Sequence, residues 1–379
     1  MQKIKILYVF PTMMQSNGIV TLFFNYLERF NPEEFEISII AGDNEPSEAY
    51  IKYMKEKGYK FYLCPKIKSK NLFKIRRFFA RFFKENHDFD IVHSNNNILG
   101  YFASKFAKKY NINVRIIHSH STIHATNKIK SMIIEWFSKR AIKLSTNYFA
   151  CSIKAGEFMF KDKEFFEMNN AIIVERYKDL KANKDVNKEK FGFKKDDFII
   201  GFIGRLESQK NVLFLPHVLK ALKVSKPNAK LVIVGSGSDL EPLKEEVKSL
   251  DLVNDVVILE ALPGIFEILP TFDCFIMSSI FEGLPMVAVE AQTALIPCVL
   301  STNITEETKF TNAVKFVSLE DDYSKWVDAI LEVTNMNNCY NDKYKFNIDV
   351  QAKILIEKYK ELIEINKNSW DLGGFRSYE

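Results

Sequence analysis

Short apolar runs of strand length alternate with amphipathic stretches of helix length, and the alternation starts twice in this chain. Lys5–Phe10, Phe35–Ile40, Lys60–Leu63, Asp90–His93 and Val114–His118 are rich in Ile, Val, Phe and Tyr. Between them lie the helical patterns Ile19–Phe30, Ser47–Lys57, Leu72–Glu85 and Ile98–Tyr110. Strands that alternate with helices of this length build βαβ units and a parallel sheet. From Asn169 to Asp197 the chain is dense in Lys, Asp, Glu and Asn without a strong period, which reads as a linker. The pattern then resumes with strand Phe198–Ile203, helix Val212–Lys223, strand Lys230–Val234, helix Asp239–Leu250, strands Val256–Leu259 and Cys274–Met277, and helix Pro285–Leu295. A length of 379 residues accommodates two domains, since one domain takes roughly 100–200 residues. The expected division is a first Rossmann-like module over 1–168, a linker over 169–197, a second over 198–349 and a helical segment over 350–379. Open α/β sheets bind ligands at the carboxyl ends of their strands, so two such modules are expected to face each other across a cleft lined by strand-end loops.

Composition excludes several other classes. No apolar stretch approaches the ~18 residues of a membrane-spanning helix, and the apolar run after the basic start, Ile6–Phe10, is too short for a signal peptide. A cytoplasmic protein is expected. The five cysteines are odd in number, widely spaced and without a Cys-x-x-Cys pair, which argues against a disulfide framework or a zinc–thiolate site. A net charge of +5 is too mild for a generic nucleic-acid binder, and no such module is visible.

The second module carries the chemistry. Its first strand runs into Gly204-Arg-Leu-Glu-Ser-Gln-Lys-Asn211, directly before a helix. Gly204 permits a tight turn, Arg205 leaves the strand end and Lys210 stands at the helix threshold. A helix N-terminus with one Arg and one Lys suits a diphosphate: the dipole favours anions, Arg offers a bidentate fork and Lys a point charge. A solvated basic pair has the same spacing. The next strand ends in Gly235-Ser-Gly-Ser-Asp239, where Gly235 would let a ligand approach the backbone; an ordinary strand-to-helix turn uses the same residues. In Ser279-Ile-Phe-Glu-Gly-Leu-Pro-Met-Val-Ala-Val-Glu-Ala-Gln292, Pro285 suits the first turn of a helix. Glu282 and Gly283 then lie in the loop before it, the amides of Gly283 and Leu284 could face an anion, and Glu290 lies inside the helix. A carboxylate on an apolar helix is costly to bury unless hydrogen-bonded. Paired sugar hydroxyls are suitable donors; two unrelated surface glutamates are the plainer alternative.

Glu282-x7-Glu290 inside Phe-Glu-Gly-Leu-Pro, with Gly-Arg-Leu-x-x-x-Lys-Asn upstream, resembles glycosyltransferase family 4. Gly18, after the first strand, matches that family's N-terminal glycine loop, and Asp90-Ile-Val-His93 its Asp-(Ile/Val)-Val-His strand. The likeness implies a GT-B fold, with the segment after Val350 returning to the first domain. It implies a retaining hexosyl transfer from a nucleotide-diphosphate sugar, a UDP-sugar, to a saccharide or lipid-linked saccharide acceptor in capsule, exopolysaccharide or other surface-glycan synthesis. No metal or other cofactor is implied. Arg205 and Lys210 would bind the donor diphosphate, Glu290 the ribose hydroxyls and Glu282 the transferred sugar. Gly18, Gly235, Gly283, Leu284 and, in the base-contacting loop, Leu262 complete the donor set. Rivals on the same fold are a nucleotide-sugar epimerase or phosphorylase, and a non-catalytic partner subunit. Departures from the family pattern are Ser278 for a proline, Glu260 for a glycine, and Asn17-Gly18 for two glycines.

The first module offers Ile116-Ile-His-Ser-His-Ser-Thr-Ile-His124. His-x-His with a further His can hold a metal, but the Asp-His of zinc hydrolases is missing. By the resemblance, a His here reaches the donor sugar; His118 and His120 both fit, His118 first. His93 and His124 read as structural, and Asp88-Phe-Asp90 as incidental. In Lys66–Lys84, Phe78, Phe79, Phe82 and Phe83 form a stripe flanked by Arg76, Arg77, Arg81 and Lys84. Packing of the stripe on the sheet is the favoured reading, and contact of the basic part with an anionic membrane the alternative.

Overall fold

The computed structural model describes residues 3–13, 18–42, 48–121, 128–177, 179–260, 265–342 and 345–373. The chain divides into two compact units, Met1–Ala171 with Ile348–Glu379, and Ile172–Asn347.

The first unit alternates β1 (Ile4–Phe10), α1 (Gly18–Leu27), β2 (Phe35–Ala41), α2 (Glu48–Glu56), β3 (Lys60–Leu63), α3 (Leu72–Glu85), β4 (Ile91–Ser94), α4 (Asn97–Lys109), β5 (Val114–Ser119), α5 (Lys128–Leu144), β6 (Asn147–Ala150), α6 (Ile153–Phe160) and β7 (Phe166–Glu167). All its strand pairs are parallel, in the order β3-β2-β1-β4-β5-β6-β7. Residues Ile6 to Phe10 of the inner strand β1 are fully buried, as a strand covered by helices on both faces requires. Asn96 caps α4, its Oδ1 accepting from the amides of Ile98 and Leu99 at 3.0 Å. In α3, Ile75, Phe79, Phe82 and Phe83 are buried and Phe78 packs on the same cluster, with Arg76, Arg77 and Lys84 outside. The phenylalanine stripe therefore serves the core.

The second unit contains α7 (Lys184–Lys190), β8 (Phe198–Ile203), α8 (Leu215–Leu222), β9 (Ala229–Val234), α9 (Leu240–Ser249), β10 (Val256–Leu259), β11 (Cys274–Met277), α10 (Met286–Thr293), β12 (Cys298–Ser301), β13 (Val314–Val317) and α11 (Tyr323–Thr334). The strands are again parallel, ordered β10-β9-β8-β11-β12-β13. From β8 the chain builds outward through β9 and β10, then returns to the other side of β8 as β11. The connections thus reverse direction between β8 and β11. The last helix, α12 (Ile348–Gly373), belongs to the first unit.

The stretch 169–197 is not a linker. Most of it belongs to the second unit, where Tyr177 and Phe193 are buried in the core and the Lys188 ammonium donates to the Asp197 carbonyl at 2.6 Å. Its polar composition conceals α7, which is anchored by a charge rather than by an apolar face: Lys188 is buried, 3.7 Å from Asp273, while Val186 is exposed. Helix α8 also starts later than its apolar pattern suggests, because Asn211 adopts a left-handed conformation (φ 51°) and a 3-10 turn precedes the helix. No helix among the described residues is long and apolar enough to cross a membrane.

Candidate active site

In the second unit, the loops leaving β8, β9 and β11 meet at the carboxyl end of the sheet, where the connections reverse direction and ligands of such sheets bind. The β8 and β9 loops are joined by backbone hydrogen bonds, Leu206 N to Ser236 O and Asp239 N to Leu206 O, both 2.9 Å. Gly235 makes this possible. Its φ is +150°, and a Cβ there would stand 1.8 Å from the Gly204 carbonyl oxygen. The absent side chain therefore admits the neighbouring loop, a reason for glycine besides the ligand approach expected there. Between the joined residues, Arg205 projects outward with its side chain 61% exposed, paired with Glu207 at 3.0 Å.

The β8 and β11 loops are tied just as closely. Ile280 N donates to Gln209 O at 2.8 Å, and Gln209 Nε2 to Phe281 O at 3.1 Å. Buried Ser278 donates its hydroxyl to the carbonyls of Lys210 and Asn211, at 3.2 and 2.9 Å. That bond explains the departure from proline: a hydroxyl satisfies carbonyls exposed by the left-handed turn at Asn211. The result is an ion pair between Lys210 Nζ and Glu282 Oε1, with side chains only 13% and 10% exposed. Lys210 and Glu282, expected to make separate contacts to a donor, thus form one unit. Gly283 follows in the loop, Leu284 is buried, and Pro285 stands just before α10 rather than in its first turn.

Glu290, partly buried on α10, accepts a hydrogen bond from the Tyr177 hydroxyl at 2.7 Å. Burial pushes its carboxyl up to about 7, against the opposing pull of the Tyr177 bond. Burial and then the Glu290 charge raise the Tyr177 hydroxyl, which stays protonated and donates. Tyr177 was hidden in the polar stretch; the signal for it is the apolar run Ala171-Ile-Ile-Val174 that leads into its turn.

In the first unit, β4 and β5 place His93 and His118 side by side. His93 Nδ1 lies 2.6 Å from the Tyr359 hydroxyl of α12, and His93 Nε2 lies 3.1 Å from His118 Nδ1. The His118 ring stacks on His120 at 3.9 Å, and His120 Nε2 donates to Asn95 Oδ1 at 2.9 Å. Tyr359 in turn meets the Tyr8 hydroxyl at 3.1 Å. Burial holds His93 and His118 well below the usual imidazole range and lowers His120 to about 3, so all three rings are neutral. A cavity of about 320 Å³ is lined by Asn95, His118, Ser119, His120, Ile134 and Phe158, among others. His118 is only 2% exposed and sits inside the stack, whereas His120 is partly exposed. The structure thus favours His120 over His118 for contact with a ligand; His118 backs it. His93 belongs to the same chain of rings. Gly18 opens α1, while Leu262 and His124 lie outside the described residues. Asp90 accepts from the Lys5 amide at 2.8 Å and Asp88 pairs with the Lys5 ammonium, both structural contacts.

Two family models match separate parts of the chain: Glycosyltransferase Family 4 over residues 16–162 and Glycosyl transferases group 1 over 183–346. The chain belongs to the family 4 type of GT-B glycosyltransferases. It is 29% identical to the putative glycosyltransferase EpsF of Bacillus subtilis, across 84% of both chains. It is 24% identical to the UDP-Gal:alpha-D-GlcNAc-diphosphoundecaprenol alpha-1,3-galactosyltransferase of Escherichia coli, across 96% of this chain and 98% of that one. Anabaena Alr3699/HepE, solved in complex with UDP, shares the fold with a TM-score of 0.70 at 14% identity, across 98% of this chain and 100% of that one.

In this glycosyltransferase the Lys210–Glu282 pair can be tested without substrate. Lys210→Met leaves a nearly buried carboxylate without its counter-charge and should lower the stability of the second unit by about 2–4 kcal/mol. Adding Glu282→Gln should restore most of that loss in urea unfolding. A cost well under 1 kcal/mol for the single variant would mean that water screens the pair.

Proposed function

We propose that the chain transfers a hexose from a UDP-sugar to a saccharide or lipid-linked saccharide acceptor of a surface glycan, with retention at the anomeric carbon. The observations that carry this reading are exposed Arg205 and the Lys210–Glu282 pair on the joined strand-end loops, with Glu290 held by Tyr177 on the helix that follows β11. Arg205 and Lys210 are suited to offset the charge that develops on a departing diphosphate. Lys210 can share itself between Glu282 and phosphate, which leaves Glu282 positioned by a cation beside the sugar. The Glu290 carboxylate can accept from ribose hydroxyls while Tyr177 holds its other oxygen. UDP in the HepE complex and the UDP-sugar and diphosphate-lipid acceptor in the name of the Escherichia coli relative agree with the donor and acceptor classes. In a front-face step, the acceptor oxygen bonds to the anomeric carbon as the bond to the diphosphate oxygen breaks. The acceptor proton passes to that departing oxygen, so the protein need supply no nucleophile.

Thermal-shift screening against a panel of nucleotide sugars tests the donor, because a ligand that binds only the folded chain raises its apparent stability. A UDP-sugar should give the largest rise; NMR of the product then reads the anomeric configuration. An epimerase would convert the donor without forming a glycosylated acceptor, and a partner subunit would turn over neither.

Glu290→Gln separates recognition from folding. Transfer efficiency should fall by about 2–4 kcal/mol, on the scale of lost charged hydrogen bonds at a transition state. Stability should move the other way at high pH. The folded carboxyl titrates near 7 against its ordinary 4.5, so the wild-type contribution is complete below 4.5 and is lost as pH rises through 7. At pH 8 the glutamine variant should therefore be more stable than wild type by about 1–3 kcal/mol, with no difference near pH 4. A destabilised variant with normal turnover would remove Glu290 from the site.

A further inference from the structure

Helix α5 presents an outer face with no covering element among the described residues. Ile129 is 71% exposed, Met132 69%, and Ile133 and Trp136 45% each. Their spacing of three and four residues puts all four on one stripe, opposite the buried Phe137, Ser138 and Ala141. Lys128, Lys139, Arg140 and Lys143 are exposed on the same half of the helix. Glu135, at the margin of that half, is paired with Lys139 at 2.7 Å. The Arg140 guanidinium lies 3.4 Å from the centroid of the Trp136 ring, so the apolar and cationic parts form one surface. Ile134, the next residue along the helix, lines the cavity that holds His120, as does Phe158 of α6, itself 38% exposed.

We propose that this face of α5 docks on an anionic lipid surface. An apolar stripe with a tryptophan and a rim of cations suits the boundary between head groups and acyl chains, where apolar burial and attraction to anionic lipid act together. A second copy of the chain is a poorer occupant, since a two-fold contact would set these cations against themselves. The assignment goes beyond the proposed transfer and stands apart from it, as docking needs neither donor nor acceptor. It also moves membrane contact away from the basic stretch of Lys66–Lys84, where Phe78, Phe79, Phe82 and Phe83 are committed to the core and Phe73 alone of its phenylalanines is exposed. With the docked helix beside the His120 cavity, an acceptor anchored in lipid could enter without leaving the membrane surface.

The test is co-sedimentation of the full chain with phosphatidylcholine vesicles, pure or containing about one third phosphatidylglycerol. Wild type should sediment with the anionic vesicles and not the neutral ones, and less so in high salt. Met132→Gln with Ile133→Gln should weaken partitioning by roughly tenfold or more, because two exposed side chains lose their burial in lipid. Arg140→Gln with Lys143→Gln should weaken it and flatten its salt dependence. Lys70→Gln with Lys74→Gln, on the other basic stretch, should bind as wild type does. Since every substituted side chain is exposed and Gln favours helix, unchanged circular-dichroism melts should accompany these results. Failure of wild type to sediment, or wild-type binding by both α5 variants, would overturn the assignment. So would a wild-type dimer in sedimentation velocity that the apolar variant abolishes.

Discussion

Below about pH 6.5 the first unit should lose stability steeply, at up to about 4 kcal/mol per pH unit for three protons taken up together. His93, His118 and His120 are neutral in the folded chain because burial penalises their charged forms. Their partners are a phenol, an amide and one another, none of which offsets a positive charge. Unfolding releases each imidazole to its ordinary value near 6.5, where it binds a proton more readily. Folded pKa values below the unfolded ones mean that the contribution is whole above 6.5 and is lost as pH falls toward the folded values. Hydrogen exchange of the β4 and β5 amides, followed between pH 7 and 5, reads this slope for the first unit alone. A slope below one proton would show that the rings are not desolvated as a group. Two pH units of that slope amount to at most about 8 kcal/mol, a large share of the roughly 5–15 kcal/mol that hold a domain.

Gly235→Ala should destabilise the second unit by about 4 kcal/mol or more, at the upper end of what single substitutions do. The added Cβ would stand 1.8 Å from a backbone oxygen, that of Gly204, so no rotamer change relieves it. The left-handed backbone, at φ +150°, adds strain of its own. Either β9 shifts or the β8 loop moves away, and with it Arg205. Urea unfolding should show the loss, and UDP titration of whatever folded protein remains should show weakened binding. Near-wild-type behaviour in both would mean that the two loops separate at little cost.

Much of this was legible without coordinates. Strands Phe198–Ile203, Val256–Leu259 and Cys274–Met277 follow from their apolar runs, as β-branched and aromatic residues between turn signals do. Strands β12 and β13 were missed, because a polar residue, Ser301 in one and Lys315 in the other, breaks a run of only four, whereas β10 and β11 are apolar throughout. Helix α7 was missed for a related reason, as its surface is almost wholly charged. Among site residues, Arg205, Lys210, Glu282 and Glu290 announce themselves by residue type beside glycines and a proline. Tyr177, Asn95 and Tyr359 do not, for each acts through a partner distant in the chain, 113 residues away for Tyr177 and 266 between Tyr359 and His93.

The amino-acid order alone determined the repeated strand–helix alternation, the parallel sheets it implies and the candidate charges at strand ends, since periodicity and turn chemistry act over a few neighbouring residues. Pairing was decided by the tertiary structure. Only the adjacency of β8 and β11 joins Lys210 to Glu282, and only the packing of the α12 helix on the first sheet brings Tyr359 to His93. Burial did the rest: it keeps three imidazoles neutral, lifts one carboxylate toward neutrality and leaves the outer stripe of α5 uncovered, because desolvation depends on what surrounds a group in space and not on its neighbours in sequence.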